Sequence, residues 1–211
     1  MQLLDAIKQR KTIKFFDADT RISQDILQEM LTLTTLAPSK ANSQPWRFVI
    51  VDDKAQQQKL SQLVAFNGPP CESASALILI LADLHYNRLL EEIVETSINQ
   101  GCLHQGFRTQ NLAFLENLYH NSTEQEIRDQ VLVDTGLAAM QLMLIAKEKG
   151  FDTHAIGIFD KEAVLDLLSV DKQRYVPAMI LAIGKAKAPA LPSARLPLDL
   201  VTAWNHGVFR K

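Results

Sequence analysis

The residues best placed to do chemistry in this chain carry no charge. Between Leu36 and Val51 the sequence reads LAPSKANSQPWRFVIV, and Pro38, Ser39, Asn42, Ser43, Gln44 and Pro45 crowd together with almost nothing apolar to bury. Prolines fix φ, and short hydroxyl and amide side chains bond nearby backbone, so the stretch is a stiff connection with polar groups to spare. Uncharged amides and hydroxyls on rigid backbone suit the carbonyl and ring-nitrogen edge of a planar heteroaromatic ligand. An ordinary helix-to-strand loop has the same composition, and composition alone favours that plainer reading. A second candidate is Arg10-Lys11 followed by Thr12. Cations at a helix end complement the negative end of its dipole. The same residues can clamp a phosphate, because Arg offers a planar fork of donors and Thr12 adds a hydroxyl. Residue types alone leave these two readings even.

Other chemistries lack their residues. The sequence contains no G-x-G-x-x-G, no P-loop, no G-x-S-x-G elbow and no H-E-x-x-H. A nicotinamide cofactor is therefore not expected in a Rossmann crevice. The five histidines are widely spaced, and Cys102-Leu103-His104 is a chance proximity rather than a metal site, so no metal is expected. Asp134, inside an apolar helix, reads as a solvated or hydrogen-bonded interface residue.

The elements that must carry these residues follow from periodicity and punctuation. Leu3, Leu4 and Ile7 give the opening segment a helical apolar stripe. Ser23 with Asp25 predicts a capped helix to about Leu36, and a strand follows over Phe48–Val51. A polar surface helix is expected over Lys54–Phe66, broken sharply at Asn67-Gly68-Pro69-Pro70. Ala76–Ala82 is continuous and apolar, as a strand covered on both faces would be. His85–His120 reads as one or two helices with a mobile connection. Ser122 and Gln125 predict a capping box for a helix running to Lys149, with Gly150 as its stop. That helix is apolar on nearly every face, so it is buried centrally or against another subunit. Short strands are expected over Thr153–Ile158 and Val176–Ile183, separated by an Asp160-capped helix through Leu168. Beyond Lys185 the chain lacks periodicity, yet Leu191, Leu196, Leu198, Leu200, Val201 and Trp204 are too apolar to leave in water.

With 211 residues, 47% of them hydrophobic, the chain can build one sizeable core. A formal charge of −2, from interspersed residues of both signs, supplies no field for nucleic acid or an anionic membrane. The longest apolar run, Ala76–Ala82, falls far short of the roughly 20 residues that span a bilayer. MQLLDAIKQRK is not a secretion signal, and two cysteines suit a reducing compartment, so a soluble cytoplasmic protein is expected.

The two candidate stretches, taken together, resemble a known family. A basic pair before Ser or Thr, then A-P-S-x-x-N-x-Q-P-W-x-F, is the pattern of the nitroreductase family of FMN-dependent oxidoreductases. Here it stands as Arg10-Lys11-Thr12 and Ala37-Pro38-Ser39-Lys40-Ala41-Asn42-Ser43-Gln44-Pro45-Trp46-Arg47-Phe48. The resemblance runs nearly end to end and shifts the basic pair toward the phosphate reading. It implies an α+β fold, with a mixed sheet of four or five strands flanked by helices, in an intertwined homodimer with FMN in each interface cleft. Residues 1–184 would form the FMN-binding domain, and 185–211 an extended arm packed on the partner.

Residue by residue, the resemblance implies that Arg10, Thr12 and Arg195 hold the FMN phosphate, that Lys11 beside them is cofactor-binding, and that Lys14 lies near the flavin's pyrimidine ring. A fixed cation at Lys14 would favour reduced flavin electrostatically. Pro38, Ser39 and Asn42 would lie along the ring with Gln44 close by, and Asn67 would bond the ring or the ribityl chain. Ile156, Gly157 and Ile158 would flank flavin N5, where hydride arrives. Glycine fits there because backbone must approach the ligand closely. Phe114 would be a lid over the substrate. NAD(P)H would be a transient co-substrate in a ping-pong cycle, with nitroaromatics, quinones or similar conjugated small molecules as acceptors. No side-chain acid or base is demanded.

Three departures stand out. Close relatives carry lysine at the position of Pro70 and another basic residue at that of Ser193, so Lys11, Lys40 or Lys187 would have to take over. An acidic residue that some relatives carry beside N5 is replaced by Gly157 or Ile158, which leaves the subgroup open. The same fold would also serve dehalogenation, flavin breakdown or ring dehydrogenation, or a flavin-binding protein without turnover.

Overall fold

The computed structural model describes residues 2–209. The chain opens with helices α1 (Leu3–Gln9) and α2 (Gln24–Thr34) and strand β1 (Trp46–Val51), followed by α3 (Lys54–Ser61) and α4 (Gly68–Ser73). Next come β2 (Ala76–Asp83), α5 (Leu90–Asn99), α6 (Arg108–His120) and α7 (Glu124–Glu148). β3 (Asp152–Ile156), α8 (Lys161–Leu167), β4 (Tyr175–Gly184) and a short α9 (Leu198–Val201) complete it.

The strands form one sheet in the order β1-β2-β4-β3, and every neighbouring pair is antiparallel. Parallel pairing among the described residues is confined to an isolated bridge between Thr12 and Thr153, so the mixed character expected of the sheet reduces to that contact. All eight residues of β2 are buried. Side chains alternate across a strand, so β2 feeds two cores at once. Leu77, Leu79 and Leu81 pack with Leu60, Val64 and Val164 from the side of α3 and α8. Ala76, Ile78 and Ile80 pack with Leu27, Met30, Ala139 and Leu142 from α2 and α7. The covered apolar strand expected from the sequence is therefore present, in an antiparallel sheet with helices on both faces.

Three predicted boundaries shift, each for a local reason. The cap of α7 is Thr123 with Glu126, not Ser122 with Gln125: Thr123 Oγ1 accepts from the Glu126 N–H, and Glu126 accepts from the Thr123 N–H at 2.8 Å. Ser122 still belongs to the end of α6, where its hydroxyl donates to the Leu118 carbonyl. α3 stops at Ser61 rather than Phe66, and Ala65 (φ 49°) then turns into the left-handed region. At Gly68-Pro69-Pro70 a helix starts instead of the chain merely breaking, because the first helical turn has no intrahelical use for the N–H groups that proline lacks. Ser23, Asp160 and Gly150 act as predicted: the first two accept from Ile26 N–H and Ala163 N–H, and Gly150 follows the cap of α7 at φ 82°.

By length and composition α7 could cross a membrane, but its buried residues pack on α2 and the sheet, as in a core helix. Its other face is bare. Val133 and Leu137 are 60% and 45% exposed, and the α1 stripe of Leu3, Leu4 and Ile7 points outward as well. Leu3, Leu33, Leu36, Pro38, Leu137 and Met140 line a groove of about 710 Å³ between α1, α2 and α7.

Candidate functional site

The connection between α2 and β1 gathers half of the positive-φ non-glycine residues found among the described residues. Ala41 (φ 51°), Asn42 (φ 56°) and Gln44 (φ 45°) lie in the left-handed region within four residues, and none is glycine. Each such residue costs on the order of 1–2 kcal/mol, so the surroundings must hold the shape. Ser39 Oγ accepts the Gln44 N–H at 3.0 Å and closes the loop on itself. Asp134, 2% exposed on α7, accepts the Lys40 N–H at 3.2 Å and Gln130 Nε2 at 2.9 Å. Burial pushes its carboxyl pKa up, while those two bonds oppose the rise. Of the solvated and hydrogen-bonded readings expected for Asp134, the hydrogen-bonded one holds: it is buried and accepts from Lys40 and Gln130 of its own chain.

The other flank is fixed by charge. Asp83 is fully buried and accepts Arg47 Nη2 at 2.9 Å and Arg174 through Nε at 2.9 Å and Nη2 at 2.7 Å. Its own N–H donates to the Pro45 carbonyl at 2.8 Å, and Arg47 also donates to Gln44 O at 2.9 Å. The loop is thus nailed at both ends, with Pro38 and Asn42 left exposed. Leu115 and Leu118 of α6 lie against Lys40 and Ala41. Phe114, 56% exposed, is carried by that same helix.

The basic residues gather elsewhere. Arg10, Lys11, Thr12 and Lys14 meet Pro192, Ser193 and Arg195 around a cavity of about 230 Å³. Two segments about 180 residues apart in sequence build it. Ile13 N–H donates to Thr153 O at 3.1 Å, which lays this segment beside β3. Of the three cations considered as substitutes, Lys11 lines this cavity. Lys40 sits in the strained loop, and Lys187 pairs through its N–H with Phe15 O.

Beyond β3, Gly157 is exposed, and a Cβ there would meet nothing within 4 Å, so nothing in this chain itself demands the glycine. Ile158 is 61% exposed and Ile156 is buried. Asp160 N–H donates to Leu63 O at 2.8 Å, bringing the turn that holds Asn67 alongside this strand end. Phe66, 75% exposed in that turn, escaped the sequence reading: one aromatic in a polar segment shows no periodicity.

The structure therefore divides the predicted site. Arg10, Lys11, Thr12, Lys14 and Arg195 converge, and Ile156–Ile158 and Asn67 adjoin through β3. Pro38, Ser39, Asn42 and Gln44 belong to the loop that enters β1, the opposite edge of the sheet.

The sequence pattern of the Nitroreductase family matches residues 7–185. The chain belongs to the nitroreductase family. YdgI of Bacillus subtilis, assigned by name as an NAD(P)H nitroreductase, is 37% identical over 202 residues, covering 96% of this chain and 97% of that protein. The CLA biosynthesis enone reductase of Lactiplantibacillus plantarum is 33% identical over 92% of this chain and 89% of its own. Among solved structures, a nitroreductase in complex with FMN from Exiguobacterium sibiricum 255-15 superposes with a TM-score of 0.94 at 35% identity, covering 97% and 98% of the two chains. The α+β nitroreductase fold and the oxidoreductase class expected from the motif are those of this family.

Proposed function

We infer that this protein is an FMN-dependent, NAD(P)H-consuming oxidoreductase that works as a homodimer on small conjugated acceptors. The observation that carries the reading is the cavity where Arg10, Lys11, Thr12 and Lys14 meet Arg195. Several cationic donors and a hydroxyl around a pocket of this size fit a phosphate monoester, which Arg recognises by paired charge-assisted hydrogen bonds. When bound, FMN supplies the two-electron exchange between NAD(P)H and the acceptor.

The chain's own residues bind and orient. Arg10, Lys11, Thr12 and Arg195 hold the phosphate, and Lys14 sets a positive charge beside the pyrimidine end. Asn67 offers an amide, and the open space over Gly157 admits a ring against bare backbone. Pro38, Ser39, Asn42 and Gln44 present the polar edge expected for a planar heteroaromatic group. They serve the partner's cofactor: their loop enters β1, whereas the phosphate cleft lies beside β3 at the far edge of the sheet.

A two-fold pairing answers this division. The bare groove of Leu3, Leu33, Leu36, Leu137 and Met140 is the face two copies would bury. The described part of the C-terminal segment, residues 185–209, would extend as an arm onto the partner. Trp204 and Val208, each 83% exposed, would find cover there, and among the described residues the outer edge of β1 has no strand beside it.

The acceptors are nitroaromatics, quinones and related conjugated carbonyl compounds, taken in turn with NAD(P)H in one cleft. A pyridine-nucleotide substrate fits the cytoplasmic setting expected from the sequence. Dehalogenation, flavin breakdown and ring dehydrogenation remain the alternatives on this scaffold, and a binding protein without turnover is the plainest. The test is the visible spectrum of purified protein before and after anaerobic NADH and NADPH. Flavin absorbance that bleaches with either nucleotide supports the enzyme. Bound flavin that neither nucleotide reduces would leave only a binding protein.

A further inference from the structure

Ile13 lies between Thr12 and Lys14, two of the residues assigned to the cofactor, and β3 takes both of its backbone polar groups. Its N–H donates to Thr153 O at 3.1 Å, and its carbonyl faces His154 Nδ1 at 2.8 Å. A carbonyl oxygen carries no hydrogen, so Nδ1 is the donor. The Ile13 side chain is 4% exposed and sits in the same core as Phe16 and Ile156, while Thr12 and Lys14 on either side are exposed. Only one isolated bridge joins this segment to β3, so a side chain supplies the second hold that a continuing ladder would have given.

We propose that His154 is a positioning residue, whose Nδ1–H fixes the Ile13 carbonyl and thereby aims Thr12 and Lys14 at the cofactor. The inference rests on the FMN reading above. Burial holds the His154 pKa down and nearby Lys14 lowers it further, against the bond to Ile13, which raises it; the net lowering favours the neutral ring, whose Nδ1–H is spent on Ile13. A histidine kept for packing alone could be exchanged for leucine at little cost, since a buried polar group gains nothing unless it is bonded.

The test compares His154→Leu with His154→Asn, whose amide can donate from nearly the same place as Nδ1. FMN affinity is read by titrating apoprotein, the flavin midpoint potential by anaerobic redox titration, and folding by thermal denaturation of the apo form. His154→Leu should bind FMN about tenfold more weakly, as loss of one hydrogen bond to a positioned carbonyl implies. Its bound flavin should have a lower potential, because Lys14 is no longer held, and its apo form should stay folded. His154→Asn should restore both affinity and potential. Wild-type affinity and potential in His154→Leu would overturn the proposal, as would equal losses in both variants. Should the leucine variant not fold, the 15N-edited histidine spectrum of the wild type decides: a hydrogen on Nδ1 supports the role, and a bare Nδ1 removes it. Wild-type protein that takes up no FMN would defeat the underlying reading, whereas normal wild-type uptake with unaffected variants defeats only this one.

Discussion

The two halves of the candidate site are built on opposite principles. The loop from Pro38 to Pro45 is strained, uncharged apart from Lys40 and held by buried carboxylates: Asp134 grips Lys40 N–H, and Asp83 gathers Arg47 and Arg174 while its main-chain N–H holds the Pro45 carbonyl. The basic cleft is relaxed and charged, with Lys11, Thr12, Lys14 and Arg195 exposed on a segment tied down at Ile13. A planar ring edge is read by hydrogen bonds of fixed direction, so that half must be rigid before the ligand arrives. A phosphate is a compact dianion that long cationic side chains can reach from several directions, so that half needs charge more than shape.

The contrast can be broken or sharpened, beginning with the largest effect. Asp83→Ala should destabilise the fold by about 3–5 kcal/mol in denaturant titration, since it strands two partly buried guanidinium groups and loosens Arg47, which donates to the Gln44 carbonyl, while the main-chain bond to Pro45 survives. A loss within the range of a surface ion pair would show that Asp83 does not hold the loop. In the cleft, Arg10→Ala and Arg195→Ala should each weaken FMN binding by roughly 10- to 100-fold, the worth of one charge-assisted hydrogen bond, with little change in thermal stability. Added salt should narrow the gap between these variants and wild type. Unchanged FMN occupancy in Arg10→Ala would remove the phosphate assignment.

Asp134→Ala should cost about tenfold in FMN affinity without altering its salt dependence, because the loss is one of shape. Asp134→Asn, which keeps an acceptor for Lys40 N–H, should lie near wild type. If Asp134→Ala changed the salt dependence as the arginine variants do, the two halves would not be distinct.

The smallest effect concerns pH. His154 has a folded-state pKa below the ordinary 6.5, so the unfolded chain binds more protons in that interval. Its contribution to stability is complete above about pH 6.5 and is lost as the pH falls through the lowered folded value. Thermal denaturation from pH 7 down to pH 5 should therefore cost the wild type more than His154→Asn; parallel curves would contradict this.

Much of the fold was legible because its signals are local. Ser23, Asp160 and Gly150 announce helix ends through their own chemistry, and the apolar run of β2 needed no partner to be recognised. The missed boundaries lay where two local signals competed: Ser122 and Thr123 are both plausible caps, and only the end of α6 decides between them. At the site, the motif around Asn42 was readable, but its left-handed backbone was not, since Ala41 and Gln44 carry no mark of it. Asp134 and His154 act through contacts spanning 94 and 141 residues, which no spacing rule reaches. The division of the site between sheet edges was equally invisible, because strand order is a property of the folded sheet.

The most direct measurement of whether two chains share each site is complementation between Arg10→Ala and Asp134→Ala. Co-expressed and purified as the mixed dimer, one site receives both defects and the other receives neither. If each cofactor takes its cleft from one protomer and its loop from the other, FMN titration should show wild-type affinity at half of the sites. Titration in which no site regains wild-type affinity would mean that one chain supplies both halves, and would contradict the shared site.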